Sequence, residues 1–205
     1  MRYRPEIDGL RAIAVVAVIL DHAKLPLFSG GFVGVDIFFV ISGFLITYIT
    51  IEDIRKERFT IWRFYERRIR RIIPALLTVC SATTIAVLLL LHPEAARHYI
   101  NSLIAALLFA ANFFFYFESD YFAQSADLEI LLHLWSLGVE EQFYIFFPLL
   151  FVFFYARKKA VILIATIFTV SLMLALSAGD ANATFYLLPY RAWELAAGAA
   201  LAVYY

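Results

Sequence analysis

The chain has 205 residues, of which 63% are hydrophobic and 17% charged, with a mean hydropathy of +0.81. Ordinary soluble domains are about half apolar and about a quarter charged, and a chain this short cannot fold so much apolar surface away from water; bilayer is the solvent this composition requires. Seventeen basic residues balance seventeen acidic ones and there is one cysteine, Cys80, which excludes an intrachain disulfide framework and a cysteine-cluster metal site. No nucleic-acid partner is expected.

At the N-terminus, Glu6 and Asp8 interrupt the basic residues, and the apolar run Ala12 to Leu20 ends in Asp21 and His22 without a small-x-small cleavage site. A cleavable signal peptide is therefore not expected here. The first span is predicted over Leu10 to Phe28, followed by a Ser29-Gly30-Gly31 turn and a second span over Gly34 to Ile51. The next loop, Glu52 to Arg71, holds eight basic residues, which places it in the cytoplasm by the positive-inside rule. Arg2, Arg4 and Arg11 put the N-terminus on the same side, as two intervening spans require. A third span is predicted over Ile72 to Leu91, leaving the membrane at His92-Pro93-Glu94.

Ser102 to Phe117 is apolar but only sixteen residues long, short against the ~20 that a spanning helix needs. If it crosses, the acidic loop Glu118 to Leu132 is cytoplasmic and Arg157-Lys158-Lys159 faces outward. If it is re-entrant or interfacial, the acidic loop is outside and the basic triplet inside, which satisfies the charge rule throughout and is the preferred arrangement. Leu134 to Tyr155 and Val161 to Ala178 are the next predicted spans, and Leu188 begins another. The last apolar run, Leu195 to Tyr205, is too short to span alone, so further helices are expected beyond it. The fold class is therefore all-α: a polytopic transmembrane helix bundle with six to seven apolar helices, its C-terminal helices missing. Gly34, Gly43 and Gly138 point to close helix packing.

Ionisable residues inside a span cost several kcal/mol unless paired or hydrated, which makes each one a functional candidate. Arg11 and His22 are eleven residues apart, on one helix face about 16 Å apart along the axis, with His22 suited to take a proton from a hydroxyl near neutral pH. Asp36 is expected to face His22 across the turn and orient its ring. His133, Ser136, Glu140 and Tyr144 form a stripe at helical spacing with Glu141 and Gln142 beside it, and should line a polar cavity. Arg191 and Glu194 make an i,i+3 pair. Arg67, Arg68, Arg70 and Arg71, closed by Pro74, offer guanidinium forks suited to phosphate oxygens, whether of a nucleotide-bearing cosubstrate or of anionic lipid headgroups. Each group also has a plain structural use: helix-to-helix hydrogen bonding, interfacial anchoring or topogenic charge.

The blocks YRPEIDGLR from Tyr3, GFVGVDIFFVISGFLIT from Gly31, RRIRRIIPALL from Arg67, HLWSLGVEEQFY from His133 and YRAWELAAGA from Tyr190, with His22 after the first, resemble the acyltransferase-3 family of integral membrane acyltransferases. The resemblance covers nearly the whole chain, with the motifs in the family's order. It implies about ten membrane helices, an acyl-CoA donor from the cytoplasm and an envelope-carbohydrate acceptor outside. The family's R-x10-H motif falls on Arg11 and His22, and its R-x-x-R motif on Arg67/Arg70 and Arg68/Arg71.

The expected function is thus O-acylation, most simply acetylation, by a multi-pass plasma-membrane protein with a cytoplasmic N-terminus. Catalysis is assigned to His22, Asp36, Glu140 and Glu141, donor binding to Arg11, Arg67, Arg68, Arg70 and Arg71, and acceptor binding to His133, Ser136, Tyr144, Arg191 and Glu194. No permanently bound cofactor or metal is expected; acetyl-CoA is a cosubstrate, and membrane lipid and the carbohydrate are the other partners. The competing classes are a secondary transporter or flippase, which also needs intramembrane His, Glu and Arg, and an inactive fragment.

Overall fold

A computed structural model describes residues 5–25, 27, 30–121 and 129–205. Arg2, Arg4 and Ser29, used above for orientation and for the first turn, lie outside the described residues, as does part of the acidic loop. Among the described residues the ordered elements are helical, as expected: α1 Pro5–His22, α2 Val33–Arg55, α3 Ile61–Leu90, α4 Pro93–Leu107, α5 Ala111–Tyr121, α6 Trp135–Ala156, α7 Ala160–Ser177, α8 Ala181–Tyr186 and α9 Leu188–Tyr204. A single 3-10 turn, Leu132–Leu134, precedes α6. Among the described residues four helical stretches are long and apolar enough to cross a membrane: Val33–Arg55, Ile61–Leu90, Leu132–Ala156 and Ala160–Ser177.

The helix ends differ most from the sequence reading. α3 begins at Ile61 rather than Ile72. The Thr60 side chain accepts from the Arg63 amide and caps it, so the arginine run is helix, not loop. The helix continues through Pro74, whose missing amide leaves the Arg70 carbonyl without its intrahelical donor, a defect that membrane helices tolerate; separately, Thr78 Oγ1 bonds back within the helix, donating to the Pro74 carbonyl at 2.8 Å.

α1, α2, α4 and α6 are each followed by a non-glycine residue in the left-handed region: Lys24, Glu57, Phe109 and Lys158, with φ of 55°, 53°, 54° and 58°. After each, an amide reaches back five residues to the helix: Leu25 to Leu20 at 3.3 Å, and Arg58 to Asp53, Ala110 to Ala105 and Lys159 to Phe154 at 2.8 Å. These are Schellman-type ends built without glycine.

At Phe109 this turn breaks the stretch Ser102 to Phe117 into two short antiparallel helices. α4 rises about 22 Å and α5 about 16 Å, too little for either to span. His98 near the start of α4 bonds to Glu118 near the end of α5, so both ends of the hairpin sit at the same end of the bundle. The segment folds back on itself as a hairpin, in keeping with the arrangement the charge rule favours. Its tip is pinned to α6 by amides. Gln142 Nε2 donates to Asn112 Oδ1 at 2.8 Å and to the Phe109 carbonyl at 3.2 Å, and Asn112 Nδ2 donates to the Tyr186 carbonyl at 3.1 Å. Gly138 makes room for it: a Cβ there would stand 2.8 Å from Asn112 Oδ1.

The centre of the bundle is α2, α6 and α9, with α7 packed on α9 and α1 on α2. α2 and α9 run parallel and cross at glycines on both sides. A Cβ on Gly43 would lie 1.8 Å from the Leu195 carbonyl oxygen, and one on Gly198 would lie 1.9 Å from that of Val40. On α6 the rings of Phe143, Phe147, Phe151 and Tyr155 form a ladder with successive centroids 4.5, 5.4 and 5.5 Å apart. Large apolar residues such as Leu88, Leu89, Leu90, Phe146 and Met173 point outward, as a lipid-facing surface requires.

Candidate active site

The polar residues fall into two groups at different depths. The first lies where the C-terminal turns of α2 meet the N-terminal turns of α3. Here a cleft of about 330 Å³ is lined by residues that include Asp53, Lys56, Arg67, Arg68 and Arg71. Two of its cations are already paired: Lys56 with Glu52, and Arg67 with Asp53. Arg68 and Arg71 have no carboxylate within ion-pair distance among the described residues. The Arg68 guanidinium lies over the Tyr144 ring at 4.0 Å from its centroid. Arg70, one residue before Arg71, points away: its side chain is 77% exposed and pairs with Glu66 at 2.8 Å.

Immediately inward of this cleft, Ser42 on α2 donates to Glu140 Oε1 on α6 at 2.7 Å. Arg68, Arg11 and Tyr144 are all close enough to act on the Glu140 charge. Glu141 Oε1 and Arg11 Nε are buried with no hydrogen-bond partner among the described residues. A buried carboxylate and a buried guanidinium with spare valences are costly, so this junction of α1, α2, α3 and α6 is built to receive something polar.

The second group lies at the end of the bundle where α1 stops and α2, α6 and α9 begin. Asp36 accepts from Arg191 Nη2 at 2.5 Å, and Arg191 Nη1 stands 3.2 Å from Glu194 Oε1. The Arg191 guanidinium is surrounded by the rings of Phe39, Trp135 and Phe185 at 5.4, 5.8 and 5.9 Å, a cation–π box. The Glu194 side chain is 1% exposed and neither of its oxygens makes a hydrogen bond.

His22 is exposed at the last position of α1. Its Nδ1 lies 2.9 Å from the Val18 carbonyl. A carbonyl only accepts, so Nδ1 carries the hydrogen and the neutral ring presents its lone pair at Nε2. His133 is also exposed and close enough to His22 for their charges to interact.

The sequence-predicted residues are therefore regrouped. Asp36 belongs to Arg191, not to His22, because the α2–α9 crossing brings Arg191 beside it. Glu140 and Glu141 sit with Arg11, Arg68 and Ser42, away from His22. The stripe is shorter than its spacing implies: His133 is in the 3-10 turn before α6, and Ser136 Oγ bonds back to the His133 carbonyl at 3.2 Å. Ser42, Phe39 and Asn112 were missed, since a serine, a phenylalanine and an asparagine in apolar helices carry no chemical signature until their partners are known.

An acyltransferase domain family, acyltransferase-3, matches residues 4–205. Among curated relatives, the O-acetyltransferase OatA of Staphylococcus aureus strain NCTC 8325 is 43% identical over 175 residues, covering 84% of this chain and 28% of the relative. The peptidoglycan O-acetyltransferase OatA of Listeria monocytogenes serovar 1/2a is 36% identical over 211 residues, covering 98% of this chain and 34% of the relative. A putative O-acetyltransferase of S. aureus strain MSSA476 is 41% identical over 154 residues, covering 74% of this chain and 25% of the relative. The chain thus spans about a third or less of the length of these relatives. No solved structure matches it. With the match running over almost every residue, on a bundle whose polar groups cluster at the family-like motifs, the chain belongs to the acyltransferase-3 family of membrane acyltransferases.

Proposed function

We propose that this chain is the membrane part of an O-acetyltransferase that moves an acetyl group from acetyl-CoA, bound at the cytoplasmic face, to a hydroxyl of cell-wall carbohydrate outside, peptidoglycan being the first acceptor to test. The observation that carries the reading is the polarity of α1. Arg11 lies beside the unpaired Arg68 and Arg71 at one end, and His22 presents a free Nε2 at the other. The two are separated by about 16 Å of helix, a distance of the order of an extended pantetheine arm. The Listeria relative, named for peptidoglycan, supports the choice of acceptor.

In this reading Arg68 and Arg71, backed by Arg67 and Arg11, hold the CoA phosphates with charge-assisted hydrogen bonds. Glu140, Glu141 and Tyr144 keep those arginines in register on the donor path. His22 Nε2 removes the proton from the acceptor hydroxyl, and the oxygen attacks the thioester carbonyl. The C–S bond breaks and CoA leaves as the thiol after taking up that proton. Arg191, Glu194, Ser136 and His133 line the acceptor side, with Asp36 fixing Arg191. The protein then sits in the plasma membrane with its N-terminus inside.

The test is His22→Ala in the full-length protein, read by mass spectrometry of cell-wall glycans from cells carrying it. The acetyl-sized increment should vanish while the protein stays in the membrane fraction. Persistent O-acetylation with the variant would remove His22 from catalysis.

A further inference from the structure

The mouth of the α4–α5 hairpin carries a cluster that acyl transfer does not use. His98 on α4 lies between Glu118, near the end of α5, and Glu129, just before the 3-10 turn. Glu118 Oε2 bonds to Nε2 of the ring, and Glu129 Oε2 stands 3.5 Å from Nδ1. The side chains are only 29%, 25% and 13% exposed, respectively, and the ring is fixed against Phe114 with centroids 5.7 Å apart. One ligand-type atom from each of the three residues lies within 4.8 Å of the others.

The charge there is not balanced by protein. Two carboxylates face one imidazole, and among the described residues no lysine or arginine pairs with either of them. Glu118 to Leu132 contains no basic residue at all. Partly buried acids drawn together without a cation are unfavourable unless something neutralises them.

We propose that His98, Glu118 and Glu129 bind a divalent transition-metal ion, Zn²⁺ or Mn²⁺. One imidazole nitrogen with two carboxylate oxygens suits these ions better than calcium or magnesium, which take oxygen ligands, or copper(I), which takes sulfur. A cation at the centre of the three atoms stands at most about 2.8 Å from each. Rotation of the two glutamates closes this to the roughly 2.0–2.2 Å of zinc bonds. Three protein ligands leave a position for water. The ion would join both ends of the hairpin to the segment that leads to His133. This inference does not depend on the acyl-transfer reading. Its rival is a metal-free clamp in which a protonated His98 holds both carboxylates.

The two are separated with full-length protein, purified in detergent without a polyhistidine tag and stripped with chelator. It is then dialysed against Zn²⁺ or Mn²⁺ and analysed by inductively coupled plasma mass spectrometry and thermal unfolding. The wild type should retain about one ion per chain, and His98→Ala and the isosteric Glu129→Gln should each retain it at least about tenfold more weakly. Chelator should lower the Tm of the wild type and leave that of Glu129→Gln unchanged. Equal metal content in wild type and Glu129→Gln, or a wild-type Tm indifferent to metal and chelator, overturns the proposal in favour of the clamp. Should His98→Ala fail to fold, Glu129→Gln alone decides.

Discussion

Arg68 and Arg71 differ from Arg70 in a way that their shared stretch of sequence conceals. The first two line the cleft at the end of α2, near Glu140 and Tyr144, whereas Arg70 extends into solvent to Glu66. Surface pairs such as Arg70–Glu66 are worth little, while a lost hydrogen bond to a charged phosphate costs about 1.5–3 kcal/mol. Arg68→Gln and Arg71→Gln should each raise KM for the acyl donor by about tenfold or more, and Arg70→Gln should leave it within about twofold. Donor-dependence curves of the purified full-length enzyme check this; an equal effect at all three positions would mean that the arginines act through general surface charge. The same contrast shows what residue types alone convey: four arginines at i,i+3 spacing read alike, and only their surroundings separate a cleft-lining pair from an outward one.

At the level of elements, the α2–α9 crossing is the strongest constraint, since backbone meets backbone at Gly43 and Gly198. A methyl group at either forces the helices apart, and overpacking of this kind costs roughly 1–3 kcal/mol or more. Gly43→Ala and Gly198→Ala should lower the Tm in detergent by several degrees, while Gly179→Ala, which meets nothing within 4 Å, should leave it unchanged. The separation of Asp36 from Arg191 would follow from the same displacement, so activity should fall with stability. Gly43 was recognisable as a packing residue from its apolar setting, but its partner was not. The partner lies 152 positions away in sequence at Leu195, and helix periodicity contains no information across that distance. The helix ends were equally hidden, because Lys24, Glu57, Phe109 and Lys158 take the left-handed conformation without the glycine that ordinarily announces it.

For the molecule as a whole, the α4–α5 hairpin sets the parity of everything after it. With α4 and α5 returning to one end, the loop around Glu57 and the Arg157-Lys158-Lys159 turn share the opposite end, in line with the positive-inside rule. In a Cys80→Ser background, Glu57→Cys and Lys158→Cys should react with an impermeant thiol reagent only after the membrane is opened. His92→Cys and Gly179→Cys should react in intact cells. Labelling of Lys158→Cys from the same side as His92→Cys would mean that the hairpin crosses, and would exchange the faces of the later helices.

From its residues alone this chain was determined to be a helical membrane bundle with arginines at one end and a histidine at the other. Composition, span length and charge asymmetry are local quantities, and the bilayer acts on them locally. The tertiary structure alone decided which charges meet: Asp36 with Arg191 instead of His22, Glu140 with Ser42 and Arg68, and His98 with Glu118 and Glu129. Those pairings depend on how helices far apart in sequence cross and how deep each sits. That is fixed by the close glycine contacts and by buried polar groups finding partners, conditions that only the assembled bundle imposes.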